Sequence, residues 1–171
     1  MGRSIVRKED HLSSLNHSAI SGDYSFRGMQ ASDLPLVIRI ERNAYEFPWS
    51  FKTFQDCLRA GYLCHVMIKD CRLVGYGVMA IGVEQCHILN LCIDAQVQCH
   101  GYGRRLLNHF MHLARGYDSK EAFLEMRASN SAANHLYMKA GFVEIETRRG
   151  YYPARRGRED ALVLVKSLRE A

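Results

Sequence analysis

The run Asn90-Leu-Cys-Ile-Asp-Ala-Gln-Val-Gln-Cys-His-Gly-Tyr-Gly-Arg-Arg105 limits what this chain can fold into more than any other stretch. Asn90 to Ile93 reads as the end of a buried strand and Asp94 to His100 as a short polar loop. Gly101-Tyr102-Gly103 then opens a helix. Leu106, Leu107, Phe110, Met111 and Ala114 continue it as one apolar stripe, the pattern of a helix lying on a sheet. A glycine-bearing loop that enters a helix leaves backbone N–H groups unpaired, and with the helix dipole these favour an anion. Gly101 and Gly103 carry no Cβ, so the backbone can approach that anion closely.

The pattern is not Gly-x-Gly-x-x-Gly, because Leu106 stands at the third glycine, and no Gly-Lys-Ser/Thr of a P-loop follows. The spacing Gln98-x-x-Gly101-x-Gly103 instead resembles the Gln/Arg-x-x-Gly-x-Gly/Ala loop of the GNAT acetyltransferase superfamily. The resemblance implies that this loop holds the pyrophosphate of acetyl-CoA.

A chain of 171 residues with 47% hydrophobic and 24% charged residues suits one soluble domain. No apolar run approaches the ~20 residues of a membrane span. Residues 1–23 are polar and mixed, without the apolar segment of a secretory signal. They read as a disordered extension ahead of a domain over 24–171. The six cysteines form no Cys-x-x-Cys and mostly fall in apolar patterns. Reduced thiols in a cytoplasmic protein, with no metal, fit that usage. A net charge of +5 is compatible with an acidic cofactor or a ribonucleoprotein neighbour and does not demonstrate nucleic-acid binding.

In chain order, Tyr24 to Met29 reads as a strand, and Ser32-Asp33 as the cap of a helix carrying Leu34, Val37, Ile38, Ile40 and Ala44. Pro48 disfavours helix at Phe47, and Ser50 can cap a second helix through Phe51, Phe54, Cys57 and Leu58, ended by Gly61. The corner Ala44 to Ser50 is either a hydrophobic plug or a substrate wall containing Trp49. Tyr62 to Ile68 and Arg72 to Val83 form a hairpin turning near Lys69-Asp70-Cys71, and Gln85 to Ile93 is the next strand. Gly116 stops the helix that follows. Ala122 to Arg127 is a strand with Phe123, Glu125 and Arg127 on one face. Asn130 or Ser129 caps a fourth helix closed by Gly141, and Phe142 to Thr147 and Ala161 to Val165 are final strands. This order predicts a mixed sheet in which residues 86 to 127 form a right-handed strand–helix–strand unit with parallel strands. Ligands bind beyond the carboxyl ends of such strands, which puts Ile93, Arg127 and the Gly101 loop at one mouth.

Acetyl transfer from a thioester to an amine needs a neutral amine, a polarised carbonyl and a stabilised thiolate. Glu125, flanked by Phe123 and Leu124, is the candidate base, since partial desolvation strengthens a carboxylate as a base. The alternative is a glutamate paired with Arg127 or another cation. Tyr137 lies two helical turns beyond Asn130 on the same face and could hydrogen-bond the departing sulfur; the alternative is a core tyrosine with a satisfied hydroxyl. Reference values of about 10 for a phenol and about 8.5 for a thiol make full proton transfer uphill by roughly 2 kcal/mol. Backbone N–H groups around Leu91 to Ile93 are candidates to polarise the carbonyl. At neutral pH an α-amine costs roughly 1 kcal/mol to deprotonate and a lysine side chain about 4.6 kcal/mol, so a single carboxylate suits the α-amine better.

Further motifs resemble one family within that superfamily. Ala44-x-x-Phe47-Pro48-Trp49-Ser50 look like the RimI-type ribosomal-protein alanine N-acetyltransferases. So do Leu124-Glu125-x-Arg127-Ala128-Ser129-Asn130-x-Ala132-Ala133 through Leu136-Tyr137 and Gly141-Phe142, and Arg148-Arg149-x-Tyr151-Tyr152-Pro153 with Gly157-Arg158-Glu159-Asp160-Ala161. The match covers roughly residues 25 to 168. It implies a GNAT fold: an α/β mixed sheet, mostly antiparallel, with one splayed parallel strand pair and about four flanking helices. It also implies direct attack in a ternary complex, with Glu125 as general base, Tyr137 as general acid and acetyl-CoA as cosubstrate. Implied cofactor contacts are Leu91, Cys92, Ile93, Gln98, Cys99, His100, Gly101, Tyr102, Gly103, Arg104 and Asn130. The implied acceptor is the N-terminal alanine of the eighteenth small-subunit ribosomal protein.

Cys99-His100 replace the basic or polar residues usual before the first glycine, which shifts phosphate binding toward backbone amides and Arg104-Arg105. Ala95 stands where proline is frequent. The Arg148 to Arg158 loop is either a solvated hairpin or a cover over the acceptor peptide using Tyr151 and Tyr152. Rival readings are a GNAT enzyme for other protein N-termini or small amines, a non-catalytic acyl-CoA sensor, and an RNA-binding module built on the Arg/Tyr loop. Acidic residues around that loop oppose the last. No membrane contact and a monomer are expected.

Overall fold

The structure is a computed structural model that describes residues 24–169. The extension read as disordered, and the last two residues, lie outside that range. The elements run β1 (Tyr24–Gly28), α1 (Leu34–Ala44), α2 (Phe51–Arg59), β2 (Leu63–Lys69), β3 (Arg72–Ile81), β4 (Gln85–Ile93), α3 (Tyr102–Gly116), β5 (Glu121–Arg127), α4 (Ser131–Lys139), β6 (Val143–Pro153) and β7 (Arg158–Ser167). They build one seven-stranded sheet ordered β1-β2-β3-β4-β5-β7-β6. Local chemistry explains most boundaries. The Ser50 side chain accepts from Thr53 N at 3.1 Å and starts α2, and the Asn130 side chain accepts from Ala133 N at 3.1 Å and starts α4. Asp70 and Cys71 both have positive φ, at 47° and 60°, as a tight hairpin turn requires. Asp33 departs from expectation. It ends a single 3-10 turn, and its carboxylate reaches back to Gln30 N at 2.8 Å and to Arg27 instead of capping α1.

The helices cover both faces of the sheet. Leu34, Val37, Ile38 and Phe54 pack with Tyr76 and Val78 on one side. Leu106, Leu107, Phe110 and Met111 of α3 pack with Leu124, Met126, Tyr137 and Phe142 on the other. Gly77 of β3 allows α3 to sit close, since a Cβ there would meet the Phe110 ring at 2.3 Å. Every strand pair is antiparallel except β4–β5, with α3 as the crossover. That parallel ladder runs only from Gln85↔Glu121 to Ile88↔Leu124. On the β3 side of β4, Val78 pairs with Asn90 and Met79 with Ile88, so Leu89 is an extra residue. A bulge bends and twists its strand, and here it falls where β4 and β5 part.

The last two strands are longer than their apolar alternation indicated. β6 runs through Arg148 to Pro153 as one arm of a hairpin, with a register break between Arg148 and Tyr152. Side chains supply the missing backbone partners. Gly150 N donates to Asp160 Oδ1 at 2.7 Å, and Arg158 Nη2 donates to Tyr151 O at 2.7 Å. Apolar alternation therefore ended before the hydrogen bonding did.

Candidate active site

Where β4 and β5 separate, a cleft of about 320 Å³ opens. The α1–α2 corner contributes Tyr45, Phe47 and Trp49, β4 contributes Leu89, Asn90 and Leu91, and β5 contributes Glu125 and Arg127. Asn130 and Tyr137 of α4, and Tyr152 and Pro153 of β6, complete the lining. Beyond Ile88 the edge of β4 that faces this gap has no strand partner among the described residues.

Glu125 projects from β5 just past the last position paired with β4, with 15% of its side chain exposed. Its Oε2 lies 2.5 Å from His87 Nε2, and its Oε1 accepts from Arg148 Nη1 at 2.8 Å. Arg127 is occupied elsewhere. It donates to Pro153 O at 2.9 Å and to Glu159 Oε2 at 3.1 Å, and its guanidinium lies 5.3 Å from the Phe47 ring and 4.7 Å from the Tyr152 ring. Sequence reasoning missed His87. Strand alternation could have found it, because His87 pairs with Phe123 and Glu125 is the next residue on that face of β5.

Tyr137 is 7% exposed, its ring edge-on to Phe142. Its hydroxyl has no hydrogen-bond partner among the described residues. Burial, with smaller contributions from Tyr152 and Cys92, lifts this phenol above its usual range. It therefore stays protonated and able to donate. Tyr152, half-buried beside Glu125, is pushed up to about 12, mainly by burial.

Glu41 was also missed. It lies on the Leu34, Val37, Ile38 stripe of α1 and is 1% exposed. Oε1 accepts from Trp49 N at 2.8 Å, and Oε2 accepts from the Tyr76 hydroxyl and from Asn90 Nδ2 at 3.3 Å. Nearby, the Tyr45 hydroxyl donates to Leu91 O at 3.1 Å. These bonds pin the aromatic corner to β3 and β4, so that Trp49 forms a wall. The helical period alone put this carboxylate on the buried face.

At the carboxyl end of β4, Gly101 caps α3 with φ of 80°, a left-handed conformation that favours glycine. Cys99 has φ of 63°. Gln98 Nε2 donates to Ile93 O at 2.9 Å, and His100 Nδ1 lies 2.7 Å from Gln98 O, so both side chains brace the turn. The first-turn amides of α3, at Tyr102, Gly103 and Arg104, have no intrahelical acceptor. Gly103 packs against Leu136, and Arg104 is exposed. Arg105 is diverted, its guanidinium lying 4.6 Å from the Tyr24 ring.

The structure thus brings Glu125, Tyr137, Leu91, Asn130, Trp49 and Tyr152 onto one cleft. Cys92 and Ile93 are buried in β4, and the turn from Gln98 to Arg104 follows it. Tyr151 is 45% exposed and outside the lining, with Arg148 over its ring. Arg155, at the β6–β7 turn, pairs with Glu46 of the α1–α2 corner. The free amides, the glycine cap and the unpartnered strand edge fit the diphosphate and amide chain of a coenzyme A thioester.

Residues 34–142 match the acetyltransferase (GNAT) family. The chain is 35% identical over 136 residues to the ribosomal protein bS18-alanine N-acetyltransferase of Escherichia coli (strain K12), covering 80% of this chain and 92% of that protein. It is 31% identical over 137 residues to the protein of that name from Haemophilus influenzae, covering 80% and 93%. The crystal structure of the ribosomal-protein-S18-alanine N-acetyltransferase from Escherichia coli superposes with a TM-score of 0.81 at 32% identity, over 86% of this chain and 96% of that one.

Proposed function

The chain belongs to the acetyltransferase (GNAT) family, whose members are acetyl-CoA-dependent acyltransferases, and from that premise we propose that it acetylates the N-terminal alanine of a small-subunit ribosomal protein. The observation that carries this reading is the joint presence of Glu125 and Tyr137 on the cleft between the parted strands. The 35% identity to the Escherichia coli alanine N-acetyltransferase supports the acceptor. Because that acceptor is a ribosomal protein, the enzyme works in the cytoplasm.

Acetyl-CoA supplies the thioester carbon that the amine attacks. The backbone of Leu91, Cys92 and Ile93, the turn Gln98-Cys99-His100-Gly101-Tyr102-Gly103-Arg104, and Asn130 would hold it. Trp49 and Tyr152 wall the acceptor's path, and Tyr151 stands outside as a contact for residues further along the peptide. Glu125 receives the amine proton. Tyr137 donates its hydroxyl hydrogen toward the departing sulfur, and its elevated pKa keeps that hydrogen in place at physiological pH. An α-amine needs only about 1 kcal/mol to reach its neutral form at pH 7, a demand one carboxylate can meet.

The test incubates the protein with acetyl-CoA and total small-subunit ribosomal proteins and maps modified N-termini by mass spectrometry. One alanine-starting chain gaining a single acetyl group is the expected result. Faster turnover of polyamines or other small amines than of an alanine-starting peptide would overturn the acceptor assignment.

A further inference from the structure

We propose that His87 carries the reaction proton out of the site: it receives, through Glu125, the proton taken from the acceptor amine and releases it into a second groove. This rests on Glu125 being the general base proposed above. The groove has a volume of about 330 Å³ and is lined by Ala80, Gln85, His87, Phe123, Arg148 and Val163 among others. Glu125 is the residue that the cleft and the groove share. It stands on their common wall, where both of its carboxylate oxygens meet residues of the groove lining, His87 and Arg148.

A base buried to this degree must pass its proton on before the next turnover. Oε1 of Glu125 faces Arg148, and a guanidinium holds its protons throughout the physiological range, so it offers no way out. Oε2 faces His87 Nε2 at 2.5 Å. The His87 side chain is 38% exposed against 15% for Glu125, and its Nδ1 has no partner among the described residues. Imidazole is also the side chain suited to exchanging protons near neutral pH.

The steps balance. As the new N–C bond forms, an N–H bond of the amine breaks and the proton passes to Glu125 Oε2. It moves to His87 Nε2, which starts bare with the ring proton on Nδ1; the imidazolium then swings into the groove, gives the Nε2 proton to water and returns as the starting tautomer. Glu125 returns to the carboxylate. The charged groups facing His87 are Glu125 from β5 and Arg148 from β6, the latter also 3.6 Å from Glu146; β3 and β7 present Ala80, Ile81 and Val163, which carry no charge. His87 touches no substrate and acts only through Glu125.

The experiment compares wild type, His87→Ala and His87→Gln on an alanine-starting peptide, with acetyl-CoA affinity followed by calorimetry. Both variants should lose kcat by roughly tenfold or more at pH 7, while peptide KM and acetyl-CoA affinity stay within about twofold of wild type. Added imidazole should restore His87→Ala saturably and leave His87→Gln, whose side chain fills the space, unrescued. His87→Gln keeps an N–H for Glu125 but cannot relay a proton. A His87→Gln enzyme at full rate would therefore overturn the proposal, since holding Glu125 in place would then suffice. A His87→Ala enzyme that folds, binds acetyl-CoA and ignores imidazole would overturn it too. If only a small amine is turned over, the same comparison on that amine still decides the role of His87, and the acceptor assignment alone falls.

Discussion

Glu41 and Glu125 have the same side chain and opposite surroundings. Glu41 accepts hydrogen bonds from a backbone N–H, a phenol and an amide, so its oxygens are committed to holding the aromatic corner. Glu125 meets His87 and Arg148 and still lines the cleft. For Glu125→Gln the expected outcome is a fall in kcat of about 10²–10⁴ at pH 7. Partial recovery should follow as pH rises through the α-amine value near 8, with acetyl-CoA affinity retained. A pH-independent loss would assign Glu125 to scaffolding. Tyr137 gives a prediction of its own. A phenol donates only while protonated, and burial raises the value of this one. The kcat profile should therefore show no alkaline fall due to Tyr137 up to about pH 10, the ordinary phenol value. Tyr137→Phe should lower kcat across that whole range.

The seam between β2 and α3 behaves as an element-scale device. His109 of α3 stacks on Phe26 at 4.2 Å and lies 3.0 Å from His65 of β2. Burial, followed by the charges of His65 and His112, lowers His109 to about 4, and burial alone lowers His65. Above an unfolded value near 6.5 both states carry the neutral ring. Between about 6.5 and 4 only the unfolded chain takes up the proton, so stability falls as pH drops through that window. Urea midpoints measured at pH 7.5 and pH 5 should differ for wild type, and the difference should shrink in His109→Phe. This seam illustrates what periodicity shows and hides. The helical repeat marked Phe110 and Met111 as buried, but the stacking of His109 on β1 depends on which strand lies beneath α3. The β6–β7 hairpin makes the same point, because its ladder continues beneath charged residues that carry no alternation.

At the scale of the whole molecule, two packed halves meet where the parallel ladder stops. The α1–α2 layer is tied to β3 and β4 through Glu41, Tyr76, Asn90 and Trp49 N, and this tie fixes one wall of the cleft. Glu41→Ala would strand a buried phenol, an amide and a backbone N–H. At about 1–3 kcal/mol for an unsatisfied buried group, a loss of about 3 kcal/mol is expected. That corresponds to roughly 6–12 °C in Tm for a chain of this size. Calorimetry checks it, and peptide KM should rise because Trp49 loses its anchor. A Tm within a degree of wild type would show that water replaces the network at little cost.

Element order, the caps at Ser50 and Asn130, the Gly101 turn, the parallel crossover and the placement of Glu125 and Tyr137 near one mouth all follow from the amino-acid order. Each depends on interactions within a few residues, or on the handedness of a single crossover. Tertiary packing decided that His87 and Arg148 flank Glu125, that Glu41 faces Tyr76 and Asn90, that Arg105 turns to Tyr24, and that Tyr151 stands outside the cleft. Those contacts join residues on different strands and helices, and their partners are chosen by sheet order and by the bulge at Leu89, which no local pattern encodes.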